Sequence, residues 1–309
     1  MIALGGASVT RQMTATVIGL GSMGWGAALS LLRAGFDVKG VDIRSDVLAS
    51  FEKEGGKAYP DAASAGESDV VFVFVVNSRQ AEEVLFGERG ALKSAKAGTV
   101  FLLCVTMAPT ATMELAERLS SAGMQVIDAP VSGGHIKALA GEITVMASGP
   151  DQAFDHAAAA LDAVSAKVFR LGSEVGLGSK VKMINQLLAG VHIAATAEAL
   201  TLAAAEGLDL RTVFDVIRVS AGSSWMFENR GPHIVDGDYT PRSAVNIFVK
   251  DLGIVTSEAE KAGASTPLSA AALALFKEAT ESGLGLEDDA AVAKILAERA
   301  SIKLPGMEG

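Results

Sequence analysis

The sequence is poor in the residues from which covalent and metallic frameworks are built. Its single cysteine, Cys104, excludes an intrachain disulfide, and its four histidines are scattered without metal-ligand spacing. A reducing compartment and no structural metal are the expectation. No block of Lys or Arg occurs, and 26 basic residues stand against 36 acidic ones, a net charge of −10. Such a surface repels polyphosphate, which excludes nucleic acid as a partner class. No signal peptide is read: Met1–Gln12 carries Arg11 after its apolar residues and lacks a hydrophobic centre. Because Met13 directly precedes the first apolar run, Met1–Gln12 is expected to be loosely ordered, either an extension or a mis-assigned start. Only Gln186–Ala205 approaches a membrane-spanning length, and it contains His192, Thr196, Glu198 and Thr201. The expectation is a buried helix of a soluble, cytoplasmic protein that touches no membrane.

What is present is ample core material, with 50% hydrophobic and 20% charged residues over 309 positions, enough for two domains. From Thr14 short apolar runs alternate with amphipathic stretches, the pattern of a parallel sheet covered by helices. Strands are expected at Ala15–Ile18, Asp37–Val41, Val70–Val75, Thr99–Cys104, Gln125–Asp128, Thr144–Ser148 and Val168–Leu171. Helical spacing marks Gly24–Ala34, Ser45–Glu54, Ser78–Phe86, Pro109–Ala122 and Pro150–Ala163. After Gly172 the β-branched runs cease and the chain becomes Ala/Leu-rich. Helices are expected at Lys180–Glu206, Leu210–Ser220, Ser243–Ala262, Pro267–Ser282 and Asp289–Ala300, with Gly222–Thr240 irregular. With the run Gly19-Leu20-Gly21-Ser22-Met23-Gly24 at the end of the first expected strand, the fold class is an α/β Rossmann-type dinucleotide-binding domain, residues 14–175, followed by an all-α domain, residues 176–309. A long interdomain helix joins them, and its apolar circumference points to a homo-oligomer, a dimer or tetramer.

Three motifs carry chemistry. Gly19-Leu20-Gly21-Ser22-Met23-Gly24 is a G-x-G-x-x-G that follows an apolar run and opens a helical pattern. There Gly19 permits the tight turn, Gly21 the approach of a pyrophosphate and Gly24 close helix–strand packing. Asp42 ends the next strand, 23 residues beyond Gly19, where a carboxylate accepts the adenosine ribose hydroxyls. Its charge favours NAD over NADP, with Arg44 nearby as a counterweight. The second motif is Asp128-Ala129-Pro130-Val131-Ser132-Gly133-Gly134, at the crevice end of a strand, whose Ser-Gly-Gly amides suit a carboxylate. An ordinary turn is the alternative. The third, Gly176-Leu177-Gly178-Ser179-Lys180-Val181-Lys182-Met183-Ile184-Asn185-Gln186, puts Lys182, Asn185 and Gln186 on one helix face. A lysine buried on an apolar helix has its pKa lowered toward the range useful for proton transfer. Lys180 lies elsewhere on the circumference and reads as solvated.

Together the three motifs resemble the 3-hydroxyisobutyrate dehydrogenase-related, or β-hydroxyacid dehydrogenase, family from Thr14 to Ala300. The runs Ser223–Arg230, Asp236–Pro241 and Phe248–Gly253 are similar to its L-threonate-oxidising branch. The resemblance implies an NAD-dependent dehydrogenase of a small hydroxy acid, with Lys182 as general acid/base and Asn185 positioning it. It implies that Ser132, Gly133 and Gly134 bind the substrate, with Gln186 beside them. It further implies that Thr106 approaches the nicotinamide ribose, that Asn77 lies along the cofactor cleft and that Lys250 reaches the cofactor. Two departures are Ala108, where many relatives have Ser, and Gln186, where some have a second Asn. Alternatives within the class are a 3-hydroxyisobutyrate dehydrogenase or tartronate semialdehyde reductase. A 6-phosphogluconate dehydrogenase is disfavoured by the lack of a basic cluster for phosphate. Outside the class stands a non-catalytic NAD sensor or scaffold, against which Lys182 with Asn185 argues.

Smaller signals read as structural. Trp225 and Phe227 read as packing anchors, with contact to substrate or cofactor as the alternative; Cys104 is core, and His135 is incidental unless it meets a polyol hydroxyl. Asp236, Asp238 and the Glu287-Asp288-Asp289 run are solvated or helix-capping carboxylates.

Overall fold

The computed structural model describes residues 12–307, so Met1–Gln12 lies outside the described residues but for its last position. The chain divides between Ser179 and Lys180 into two compact units. In the first, β1 (Thr14–Ile18), β2 (Asp37–Val41), β3 (Lys57–Tyr59), β4 (Val70–Val73), β5 (Val100–Leu103) and β6 (Gln125–Asp128) form one sheet. Its order is β3-β2-β1-β4-β5-β6 and every pairing is parallel. The reversal of order beside β1 marks the point where a doubly wound sheet opens a ligand crevice.

Side-chain alternation explains why both faces of this sheet are covered. Ala15, Val17, Val70, Phe72, Val100 and Leu102 face one layer, packed against α1 (Ser22–Arg33) and α6 (Asp151–Val164). Ile18, Val71, Val73, Phe101 and Leu103 face the other, against α3 (Ser78–Phe86) and α4 (Pro109–Ser121). Strands buried on both sides read as unbroken apolar runs, which is how they stood out in the sequence. The helix α2 (Ser45–Lys53) contributes the fully buried Phe51.

The later strands do not extend this sheet, as a single parallel sheet would require. β7 (Val131–Ser132), β8 (Ile143–Ala147) and β9 (Ser165–Arg170) form a separate three-stranded sheet, β7 antiparallel and β9 parallel to β8. The chain runs straight on through Pro130: Asp128 pairs antiparallel with Ser148, the Pro130 carbonyl accepts from the Met146 amide at 2.9 Å, and β7 continues the same register against β8. Between β7 and β8 lies the unanticipated helix α5 (Gly134–Ala140).

The second unit is helical. α7 (Leu177–Ala205) begins in the first unit and continues into α8 (Leu210–Ile217), α9 (Trp225–Asp236), α10 (Val245–Lys261), α11 (Pro267–Ala279) and α12 (Val292–Arg299). Among the described residues α7 alone is long and apolar enough to cross a membrane by composition; 39% of its most apolar window is buried. α9 replaces the irregular stretch expected at Gly222–Thr240: the Ser224 hydroxyl accepts from the Phe227 amide at 3.0 Å and starts the helix despite Pro232. Phe227 stacks on Phe214 while Trp225 stays exposed. The acidic run also differs from expectation, because Asp288 and Asp289 have no exposed surface. Asp288 accepts from the His233 ring at 2.8 Å and from the Ala290 amide, so it caps as well as pairs. Asp289 accepts from Nε and Nη2 of Arg230, at 2.5 and 3.1 Å.

Phe101 has no exposed surface between β4 and β6. Phe101→Ala is expected to cost about 3–5 kcal/mol, as for other buried rings. The check is the urea midpoint followed by circular dichroism; an unmoved midpoint would mean the ring is not packed.

Candidate active site

The glycine fingerprint sits where β1 gives way to α1, with each glycine required for a different reason. Gly19 has φ +90°, and a Cβ there would lie 2.4 Å from the Phe74 carbonyl oxygen. A Cβ on Gly24 would lie 1.9 Å from the Gly19 oxygen, so the first turn of α1 cannot pack over the loop with any side chain. Gly21 is the opposite case: nothing lies within 4 Å of its notional Cβ, leaving the helix N-terminus open in front of it. A cavity of about 340 Å³ borders this opening, lined by Leu20, Gly21, Ser22, Trp25, Arg44 and His135 among others. Leu20, Gly21 and Ser22, expected at the cofactor, line it; so do His135, weighed only for a polyol hydroxyl, and Trp25, which directly follows the fingerprint and was not singled out. Met23 is half-buried against the core of the first unit rather than in this lining.

Asp42 stands at the end of β2 with both oxygens engaged. Oδ2 accepts from the Leu20 amide at 2.9 Å, and Oδ1 from the Arg44 amide at 3.0 Å. The Arg44 guanidinium grips both oxygens, Nε on Oδ1 and Nη2 on Oδ2, each at 3.0 Å. Burial alone would raise the Asp42 carboxyl, but the Arg44 and Leu20 donors outweigh it and hold it below the ordinary carboxylate range.

Thr106 lies half-buried beyond the end of β5. Asn77 opens α3, its Oδ1 accepting from the Gln80 amide at 2.9 Å. Ser132 ends β7 opposite Thr144 of β8. Gly133 and Gly134 then take φ +137° and +71°, conformations that L side chains rarely adopt, and lead into α5. Asp128, which begins this motif, is fully buried. It accepts from the amides of Gly176 at 3.0 Å and Ser179 at 2.7 Å, and from the Ser179 hydroxyl at 2.8 Å.

In the second unit the lysine face of α7 is built as the spacing requires. Lys182 and Gln186 are buried and Asn185 is half-buried, whereas Lys180 is exposed. Gly190 lets α10 come close, since a Cβ there would meet Leu252 at 2.8 Å. That approach brings Asp251 beside Gln186. Gln186 Nε2 donates to Asp251 Oδ2 at 2.5 Å, and Asn185 Nδ2 to Gln186 Oε1 at 2.9 Å. Lys250 Nζ lies 2.6 Å from Asp251 Oδ1. Burial pushes the Lys182 amine down to about 8, with Asp251 pulling it up and Lys250 pushing it down. Asp251 is the residue sequence reasoning missed; its signal is a carboxylate amid the apolar positions Phe248, Val249 and Leu252. Among the described residues no group of His, Cys, Asp or Glu could hold a metal ion.

Residues 14–172 match the domain described as the NAD binding domain of 6-phosphogluconate dehydrogenase. Residues 176–296 match that described as NAD-binding of NADP-dependent 3-hydroxyisobutyrate dehydrogenase. The L-threonate dehydrogenase of Cupriavidus necator is 52% identical over 291 residues, covering 94% of this chain and 97% of that protein. That of Escherichia coli K12 is 50% identical over 292 residues, covering 94% and 96%. The crystal structure of a 3-hydroxyisobutyrate dehydrogenase from Salmonella typhimurium superposes with a TM-score of 0.89 at 47% identity, covering 92% of this chain and all of that one.

The charge arrangement on α7 and α10 has a measurable consequence. Asp251 is the carboxylate that favours the Lys182 ammonium, so Asp251→Asn is expected to lower the lysine further below 8. NMR titration of the reductively ¹³C-methylated protein, with Lys182→Arg to assign the signal, reads this directly. A higher or unchanged midpoint would contradict the arrangement.

Proposed function

The chain belongs to the 3-hydroxyisobutyrate dehydrogenase family of NAD-dependent hydroxy-acid dehydrogenases, and within it we propose that it oxidises L-threonate at C2 to 2-dehydro-L-erythronate. The observation that carries the chemistry is Lys182, buried on an apolar helix with its amine brought down to about 8. The substrate is chosen on the identity of about half of all residues to L-threonate dehydrogenases over nearly the full length.

The residues of the first unit fit the cofactor. The space in front of Gly21 is open, with nothing within 4 Å of a notional Cβ, and lies at a helix N-terminus that favours phosphate charge. Asp42, at the end of β2, is a carboxylate suited to ribose hydroxyls, and Asn77, Thr106 and Lys250 are assigned to the remainder of the cofactor. When bound, NAD supplies the acceptor for the hydrogen and electron pair that leave the carbinol carbon.

The chain's own groups do the rest. Ser132 and the Gly133 and Gly134 amides hold the substrate carboxylate. Neutral Lys182 takes the C2 hydroxyl proton as the C2–H bond breaks, and the hydroxyl oxygen becomes the carbonyl of the product. In the reverse direction the Lys182 ammonium returns that proton. Asn185 and Gln186 orient the lysine and the substrate hydroxyls through the amide chain that ends on Asp251. Residues 14–175 thus carry most of the cofactor contacts and the groups for the substrate carboxylate, and residues 176–309 the proton carrier, its amides and Lys250. An NAD-coupled sugar-acid oxidation fits the cytoplasm, and a second copy is assigned to the exposed apolar stripe Val181, Ile184, Leu188 and Leu202 of α7.

The Salmonella relative named for 3-hydroxyisobutyrate supports a second substrate reading. NADH formation with L-threonate, D-threonate, D-erythronate, 3-hydroxyisobutyrate, D-glycerate and L-serine, each with NAD and NADP, decides between them. L-Threonate with NAD is the expected preference; turnover of 3-hydroxyisobutyrate alone would replace it. Because Lys182 must be neutral to accept a proton, kcat/KM for oxidation is expected to rise with pH and level off above about 8. The reduction rate should fall across the same range. Lys182→Ala is expected to keep NADH binding and lose about 10²–10⁴-fold in kcat; a folded variant with near-normal turnover would sink the assignment.

A further inference from the structure

One buried ionisable group in the motif regions has no part in the chemistry above. Asp128, with no exposed surface, closes β6 and gathers the start of α7. Oδ2 accepts from the Gly176 and Ser179 amides, at 3.0 and 2.7 Å, and Oδ1 from the Ser179 hydroxyl at 2.8 Å. Since that hydroxyl gives its proton to Asp128, Thr112 Oγ1 must donate to Ser179 Oγ across their 2.9 Å contact, which draws α4 into the same cluster. Ser148, following β8, accepts from the Gly178 amide at 3.1 Å. Gly178 has no room for a side chain: a Cβ would lie 2.4 Å from the Met146 oxygen and 2.8 Å from the Asp128 oxygen. The helix start is thus pressed onto the strand ends and held there by a carboxylate against its unpaired amides.

We propose that Asp128 is a positioning residue for the dehydrogenase reaction: its carboxylate fixes the first turn of α7, from which Lys182 follows, to the strand end from which Ser132–Gly134 departs. The inference rests on the reading of Lys182 as the proton carrier. Chain geometry makes the coupling short. Ser132 comes four residues after Asp128, and Lys182 three residues after Ser179 on the same helix. Asparagine does not reproduce the carboxylate: it is uncharged, and its NH2 must face either two amides that can only donate or the Ser179 hydroxyl, which would then have to accept and turn its own proton toward Thr112.

The test is Asp128→Asn and the milder Ser179→Ala, beside Lys182→Ala. Hydrogen exchange by mass spectrometry is expected to quicken at residues 176–182 in both of the first two variants, with the central strands unchanged. With L-threonate, kcat is expected to fall by about 100-fold in Asp128→Asn, the cost of a displacement of order 1 Å, while the Kd for NADH stays within about twofold of the parent. The primary deuterium isotope effect on kcat, using substrate labelled at C2, should rise as the chemical step becomes limiting. A drop in turnover matched by an equal loss of NADH-binding capacity, with the isotope effect unmoved, would overturn the proposal in favour of a purely structural role. So would unchanged exchange at residues 176–182 in Ser179→Ala, the deciding variant should Asp128→Asn not fold. Full turnover by Lys182→Ala would instead overturn the reading beneath it.

Discussion

A carboxylate without water must find its donors in the protein, and at Asp128 they are the first amides of α7. Removing an ion from solvent costs several kcal/mol even after relaxation, and it is tolerated only where the lone pairs are met with good geometry. Here Gly176 and Ser179 meet them, yet burial still pushes the Asp128 carboxyl up to about 6. The group is ionised at neutral pH with little to spare. The requirement propagates outward. The helix must begin with glycines, because Gly176 takes φ +105° and Gly178 has strand carbonyls where a Cβ would stand. Ser148 and Thr112 must be small and polar, because each pairs within the cluster. The Gly-x-Gly-Ser sequence that opens α7 is therefore a consequence of one buried charge.

A second buried charge shapes the helical unit, and there the balance runs the other way. Lys182 brings no donor-rich loop with it. Desolvation takes its amine from 10.5 to about 8, roughly 3 kcal/mol against the charged form at 1.36 kcal/mol per pKa unit. Asp251 opposes that shift and Lys250 reinforces it. The two adjacent residues of α10 thereby hold the lysine near the point where both protonation states are populated at physiological pH, a condition a reversible proton carrier needs. The close approach that brings them there depends on Gly190, whose missing side chain admits Leu252. Packing and electrostatics are inseparable at this point: a larger residue at Gly190 would move the charges as well as the helices.

What the sequence made legible was local. The fingerprint, Asp42 and the Lys182 face each consist of residues within one turn or one strand–helix unit, so their spacing carries their geometry. The central sheet was legible because strands covered on both faces are apolar throughout. Features depending on distant partners were not. β7 is two residues long, too short for any period, and exists because Val131 and Ser132 meet Val145 and Thr144. α9 fell within Gly222–Thr240, expected to be irregular, and it holds a glycine and a proline, Gly231-Pro232; in the fold Gly231 gives the Phe214 ring room, a Cβ there standing 2.8 Å from it. Asp288 and Asp289 looked solvated because their partners His233 and Arg230 lie more than 50 residues away. Asp251 was passed over beside Lys250 for the same reason, since its contact with Gln186 spans 65 residues.

The arrangement around Asp42 bears on which nicotinamide dinucleotide the chain uses. An arginine two residues after the ribose-binding carboxylate ordinarily suggests a grip for a 2′-phosphate. Here the guanidinium is already committed, with two hydrogen bonds to Asp42 and a third from Nη2 to the Leu20 oxygen at 3.3 Å. To bind a phosphate it would have to leave a carboxylate that the same guanidinium holds in its charged form. The abandoned Asp42 would then face a dianion across a few ångströms, where like charges repel by more than an exposed arginine–phosphate contact recovers. On the proposed role of Asp42 at the ribose hydroxyls, Arg44 serves by keeping that carboxylate ionised and fixed, and the pair is expected to discriminate against the phosphorylated cofactor as a unit.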